Sequence, residues 1–177
     1  MAGQALVCWA DEPTPTGEML VSPELDLLLR ALEPASQGNL ACRLRFGLAC
    51  VQRVAHLLER EDALASLAEF QAIVERGAYD QVQLLASRID AIANTHQGSK
   101  SLDGVGHAAV SATYAVAKAI AGRARPAAEY AAYASVYGQG GYGATSDPSS
   151  FEPEHEWQAL QLRRILDSEF APRGGLP

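Results

Sequence analysis

Four histidines and three cysteines are the residues best suited to metal binding or nucleophilic chemistry in this chain of 177 residues. His56, His96, His107 and His155 include no i, i+4 pair with a third ligand close by, and His155-Glu156 lacks the second histidine of HExxH. Zinc-type spacing is therefore missing, and no metal is expected. Cys50 with His107 is the one nucleophile and base that a helical bundle could bring together. A cysteine on an apolar stripe is ordinarily an inert small hydrophobe, so no catalytic residue is assigned. Glu61-Asp62 and the series Glu152, Glu154, Glu156 sit near expected helix starts, where the helix dipole alone accounts for acidic residues.

Gly138-Gln139-Gly140-Gly141-Tyr142-Gly143 spells GxGxxG. A dinucleotide site needs a strand before that string and a helix directly after it, so that amides and a helix terminus meet the pyrophosphate. Here a helix precedes, and Ser146 to Ser150 with Pro148 follow, so the stretch from Gly138 to Ser150 is expected to be a glycine-rich surface loop. Gly98-Ser99-Lys100-Ser101 lacks the glycine that a phosphate loop places before its lysine. No cofactor is expected.

The remaining chemistry is that of surfaces. With 14 Lys and Arg against 21 Asp and Glu, the net charge is -7, which repels a phosphate backbone and argues against nucleic acid as a partner. Residues 61–90 carry Glu61, Asp62, Glu69, Glu75, Asp80 and Asp90 against Arg76 and Arg88, a balance suited to a basic protein partner. Tyr130, Tyr133, Tyr137 and Tyr142 follow. The first two suit a core, whereas Tyr142 among glycines is expected to be exposed, and tyrosine is enriched at interfaces. The candidate protein-binding residues are Glu61, Asp62, Glu69, Asp80, Tyr137 and Tyr142.

These residues need a scaffold, and the composition says which kind. There are 32 alanines and 21 leucines against 12 aromatics, a balance that favours close-packed helices over a sheet. Residues 1–22, with Pro13, Pro15 and Gly17, read as an N-terminal arm; 23–168 as an all-α domain; 169–177 as a tail. Ser22 caps a first helix that opens on Pro23, carries Leu25, Leu28, Leu29 and Leu32 on one face and ends at Pro34. A second is expected from Asn39 to Arg60. A third runs from Ala63 to Arg76, burying Leu64, Leu67, Phe70 and Val74 and ending at Gly77. Asp80 starts a fourth, with Gln83 returning a capping bond, and Val82, Leu85, Ile89, Ile92 and His96 form its stripe. Asp103 caps a fifth helix whose face is Ala109, Ala112, Val116 and Ile120, small enough for close helix contact. Gly122 and Pro126 precede a sixth that carries the tyrosines, and the last spans Pro153 to Asp167. The expected architecture is a single bundle of six to seven antiparallel helices, or stacked helical hairpins.

Met1 to Asp11 has no basic start and only a short apolar run, so it does not resemble a secretory signal. The alanine-rich stretch from Ala108 to Ala121 contains Lys118 and falls short of the ~20 residues of a membrane span. A cytoplasmic location with no membrane partner is expected. Cys42 and Cys50, eight residues apart on one helix, stand ~12 Å apart, too far for a disulfide.

Cys50-Val51-Gln52-Arg53-Val54-Ala55-His56-Leu57-Leu58-Glu59 resembles the opening helix of the helical immunity proteins of bacterial polymorphic-toxin systems. Further blocks are similar in order: Val74-Glu75-Arg76-Gly77, Gly106-His107-Ala108 with Ala112, Tyr130, and Trp157-Gln158 with Leu162 and Leu166. Val74, Thr113 and Arg163 depart from that pattern, standing where tryptophan, a second histidine and proline are usual. The resemblance implies a noncatalytic antidote that binds and neutralises a cognate toxin. Two other classes compete with it on the residues alone: a helical scaffold or regulatory adaptor that binds another protein through Tyr137 to Tyr142, and a small all-α enzyme working near His107 and Cys50.

Overall fold

A computed structural model describes residues 21–32, 39–96 and 105–170, and among these the chain is a bundle of seven α-helices with no strand. α1 spans Pro23–Leu32. The Ser22 hydroxyl accepts the Leu25 amide at 3.3 Å, the expected cap, and Leu25, Leu29 and Leu32 are buried. α2 spans Leu40–Arg53, shorter than the expected run to Arg60. The amides of Leu57 and Leu58 bond back three residues, to Val54 and Ala55, and this tighter 3-10 turn redirects the chain toward α3.

α3 spans Glu61–Arg76 and closes as expected on Gly77, at φ +67°. The amides of Gly77 and Ala78 reach the carbonyls of Val74 and Ile73, the two bonds of a Schellman motif. Its buried stripe is Ala63, Ser66, Leu67, Phe70 and Ile73; Leu64, expected inside, is 42% exposed, and Val74 is only partly buried. The stripe is rotated by about one residue from the expected one, because small Ala63 and Ser66, not the leucine, take the side that lies closest to the bundle.

α4 spans Val82–Thr95 and buries Val82, Leu85, Ile89 and Ala93. Asp80 does not start it: Asp80 lies in a preceding 3-10 turn, Tyr79–Gln81, and no side chain caps the helix. α5 spans Val105–Ile120 and is the centre of the bundle, packed against α6, α2 and α4. Ala109, Ala112, Val116 and Ile120 are all buried, and so are Ser111 and Thr113. The alanine face does allow close approach: a Cβ on Gly47 of α2 would stand 2.9 Å from Ala119 Cβ, so only glycine fits this crossing. Asp103 and residues 98–101 lie outside the described residues, as does the arm through position 20.

Gly122, at φ +68°, turns the chain into α6, Ala124–Thr145. Pro126 does not precede this helix but sits in its first turn, where an amide would have no helical acceptor. The expected loop from Gly138 to Ser150 is largely helical. α6 runs on through the glycines to Thr145, broken only at Gly141, and a 3-10 turn, Pro148–Phe151, leads into α7, Glu152–Phe170. What holds this stretch against its low helix propensity is a satellite core of Ala132, Val136 and Phe151, joined by Tyr133 and Ala144. α7 packs on α2 and α1 and extends two residues past the expected domain end at 168. No helix of the described residues is long and apolar enough to cross a membrane.

Candidate protein-binding surface

α3 and α4 form an antiparallel hairpin on one side of the bundle. Their inner stripes enter the core, and Glu61, Asp62, Glu69, Glu75, Asp80 and Asp90 stay exposed around Arg76 and Arg88. Leu64 and Leu84, the latter 82% exposed, add apolar surface to the same hairpin. Asp62 grips the Arg60 guanidinium at 2.9 and 2.6 Å and accepts the Ala63 amide at 2.9 Å. The Arg60 hydrogen bond is the main reason its carboxyl titrates below the usual range. Glu69 pairs with Arg88 across the hairpin.

The six expected binding residues are not brought into one patch. Glu61, Asp62, Glu69 and Asp80 are exposed on the hairpin, but Asp80 is at the far end of α3, about 24 Å of helix from Glu61. Tyr142 is 74% exposed, as expected. Tyr137 is not a surface residue: it is 7% exposed, with His107 and Tyr133 rings at 5.4 and 5.7 Å. The helical continuation past Gly138 turns Tyr137 inward, where a loop would have freed it. Tyr133 and Tyr130 are half-buried, the latter stacked on Tyr114 at 5.3 Å. A Cβ on Gly138 would stand 3.3 Å from Leu57 Cδ2, so α6 at Gly138, before its break at Gly141, meets the turn that precedes α3.

Cys50 and His107 are not paired. Gly47 faces Ala119, twelve residues and about 18 Å of helix axis from His107; Cys50 lies one turn nearer along the antiparallel α2, but it is fully buried whereas His107 is exposed, and no contact joins them among the described residues. Cys50 is fully buried, and burial, reinforced by the Glu154 charge, holds its thiol well above the ordinary value and so protonated. His96 Nδ1 meets Thr113 Oγ1 at 3.1 Å, and that hydroxyl donates to the Ala109 carbonyl at 2.9 Å. That contact links the end of α4 to α5. No group of three or more metal-ligating side chains is found among the described residues.

A polar cluster between α2, α6 and α7 has no forerunner in the motifs. Arg53 Nε donates to Glu154 Oε2 at 2.6 Å, its guanidinium lies 4.5 Å from the Trp157 ring centroid, and Gln158 Nε2 donates to the Ala128 carbonyl at 2.9 Å. Glu154 is 4% exposed. Next to it His155 stacks on Phe151, with Nε2 buried and unpartnered. The cluster ties three helices and buries Glu154 and Gln158 beneath a partly exposed Arg53, a positioning role rather than a reactive one.

Burial alone lowers the His155 pKa, and burial first, then the Arg60 charge, lowers that of His96. Both side chains have an ordinary value of 6.5, so below about pH 7 the unfolded chain takes up protons that the folded one refuses. Stability is therefore expected to be level above that pH and to fall as pH drops through 6.5 toward the lower folded values. Urea midpoints at about pH 7.5 and 5.5 check this: the decline is expected to shrink in His155→Gln, and an equal decline in the variant would contradict it.

No family model, no curated protein and no solved structure matches the chain.

Proposed function

We propose that this protein is a noncatalytic immunity protein that acts in the cytoplasm and neutralises a cognate, basic toxin by binding it with the outward face of the α3–α4 hairpin. The observation that carries the reading is the hairpin's exposed acidic surface: Glu61, Asp62, Glu69, Glu75 and Asp80, with Leu64 and Leu84 exposed on the same two helices, whose inner sides are locked in the core. Acidic charge on a fixed frame speeds encounter with a cationic partner and keeps the ordering cost of binding small. The blocks resembling helical immunity proteins support the same reading: Arg53 of the first and Trp157-Gln158 of the last lie in the cluster that holds α2, α6 and α7 together.

The test is a mixture of the purified protein with the purified product of the neighbouring gene, resolved by size-exclusion chromatography at low and moderate salt. A stoichiometric complex that abolishes the partner's activity supports the reading. Two separate peaks, or a complex in which the partner remains fully active, would overturn it.

A further inference from the structure

The joint between α6 and α7 is held separately from the rest of the bundle. Ala132, Val136 and Phe151 form a small core of their own, with Tyr133 and Ala144 packed against it, and none of the five belongs to the main core. Between Val136 and Phe151 stand Gly138, Gly140, Gly141 and Gly143, and glycine loses more freedom on folding than any other residue. At Gly141 the helix is already broken, with φ 62° and ψ -155°, a region that only glycine occupies without strain. A segment with so few buried apolar side chains and a break of its own opens at a lower free-energy cost than the helices around it.

One buried histidine sits on this small core. His155, in the first turn of α7, is 3% exposed, its ring stacks on Phe151 at 5.9 Å between centroids, and its Nε2 is buried with no hydrogen-bond partner. A neutral imidazole tolerates that place. An imidazolium does not, because it brings a charge and a second N–H to a ring edge that finds no acceptor. The charged and titratable groups on the elements around it offer no relief. Over residues 131–145 α6 carries no charge, only Tyr133, Tyr137 and Tyr142, and Glu129 before them is itself partnered. Arg53 of α2 is taken up by Glu154, Asp147 of the turn is bonded to Ser149, and Glu152 and Glu156 of α7 itself are exposed. Burial alone acts on the titration of His155.

We infer that the α6–α7 joint, residues 138–151, is an acid-sensitive latch: protonation of His155 opens the small core and releases this segment while the main bundle stays folded. The release needs only that Phe151 move away, which lets water reach Nε2. Val136, Tyr137 and Phe151, buried in the closed form, then become accessible. This local transition is distinct from the decline in overall stability, and it does not depend on what the protein binds. Its sign follows from linkage, since the open form accepts a proton that the closed form refuses. Opening is level above about pH 7 and rises as pH falls through 6.5, the ordinary value of the side chain.

The experiment is amide hydrogen exchange of the intact protein at about pH 7.5 and 5.5, corrected for the intrinsic pH dependence of exchange. Protection over residues 136–151 is expected to be lower than in α5 at both pH values, and to fall by up to about tenfold at the lower one, the ratio set by an open-state value of 6.5. In His155→Gln and His155→Phe, which abolish the titration with a polar and an apolar side chain, that fall is expected to shrink below about twofold. Segment protection equal to that of α5 at both pH values would overturn the latch, because the joint would then open only with the whole molecule. An undiminished fall in both variants would overturn it too, since another group would be the trigger. Should neither variant fold, the ring resonances of His155 in the unaltered protein decide: a midpoint below 6.5 is expected, and one at or above 6.5 would overturn the proposal.

Discussion

Arg53→Ala is expected to destabilise the fold by about 3 kcal/mol, the largest loss from any single charged residue here. Glu154 is 4% exposed, and its Oε1 has no partner, so Arg53 at 2.6 Å is what compensates its charge. Removing the guanidinium leaves a buried carboxylate between α2 and α7 and also strips the cation from the Trp157 ring. The figure is the lower end of the usual range for breaking a buried pair, because the Arg53 side chain is 39% exposed and water can enter where it stood. Arg53→Ala with Glu154→Gln should recover at least half of the loss, since the amide removes the stranded charge. Urea denaturation of the three proteins checks this. A loss below about 1 kcal/mol for Arg53→Ala would show that the pair is an ordinary surface contact.

The second large effect concerns encounter. Glu61→Lys, Glu69→Gln and Asp80→Lys together are expected to slow association with the basic partner at least about tenfold near 20 mM salt, and less than about twofold near 0.5 M. The difference between salts is diagnostic, because steering by exposed charges is screened while packed contacts are not. Glu69 is paired with Arg88, so part of its charge is already offset, and Glu61 and Asp80 carry more of the expected effect. Stopped-flow rates with the neighbouring gene product decide it. Equal slowing at both salts would mean that the substitutions damaged a contact or the fold, and the steering account would fail.

Features set by local chemistry were legible from residue order. Ser22 with Pro23, the Gly77 terminus and the small-residue face of α5 each follow from one helix alone, and each is found. The misses are places where distant packing decides. The run Gly138 to Ser150 has the composition of a loop, yet Val136 and Phe151 bury against Ala132 and carry the helix through it. That same packing takes Tyr137 out of the surface. Arg53 and Glu154 are 101 residues apart, so no motif spacing could pair them, and each stands on a helix with several other charged residues that give it no local distinction. Among the candidate binding residues, the exposed carboxylates and Tyr142 were legible because charge and glycine neighbours both keep a side chain in water. Their distribution over two ends of the hairpin was not, since it depends on the turn at 77–81.

The central claim is that this chain protects against a specific toxin, and coexpression tests it most directly. Cells that produce the neighbouring gene product are scored for survival with this protein, without it, and with the Glu61→Lys, Glu69→Gln, Asp80→Lys combination. The account predicts death without the protein, survival with it, and loss of protection by the combination at equal expression. A neighbouring product that is harmless alone, or equally lethal in the protein's presence, would contradict it.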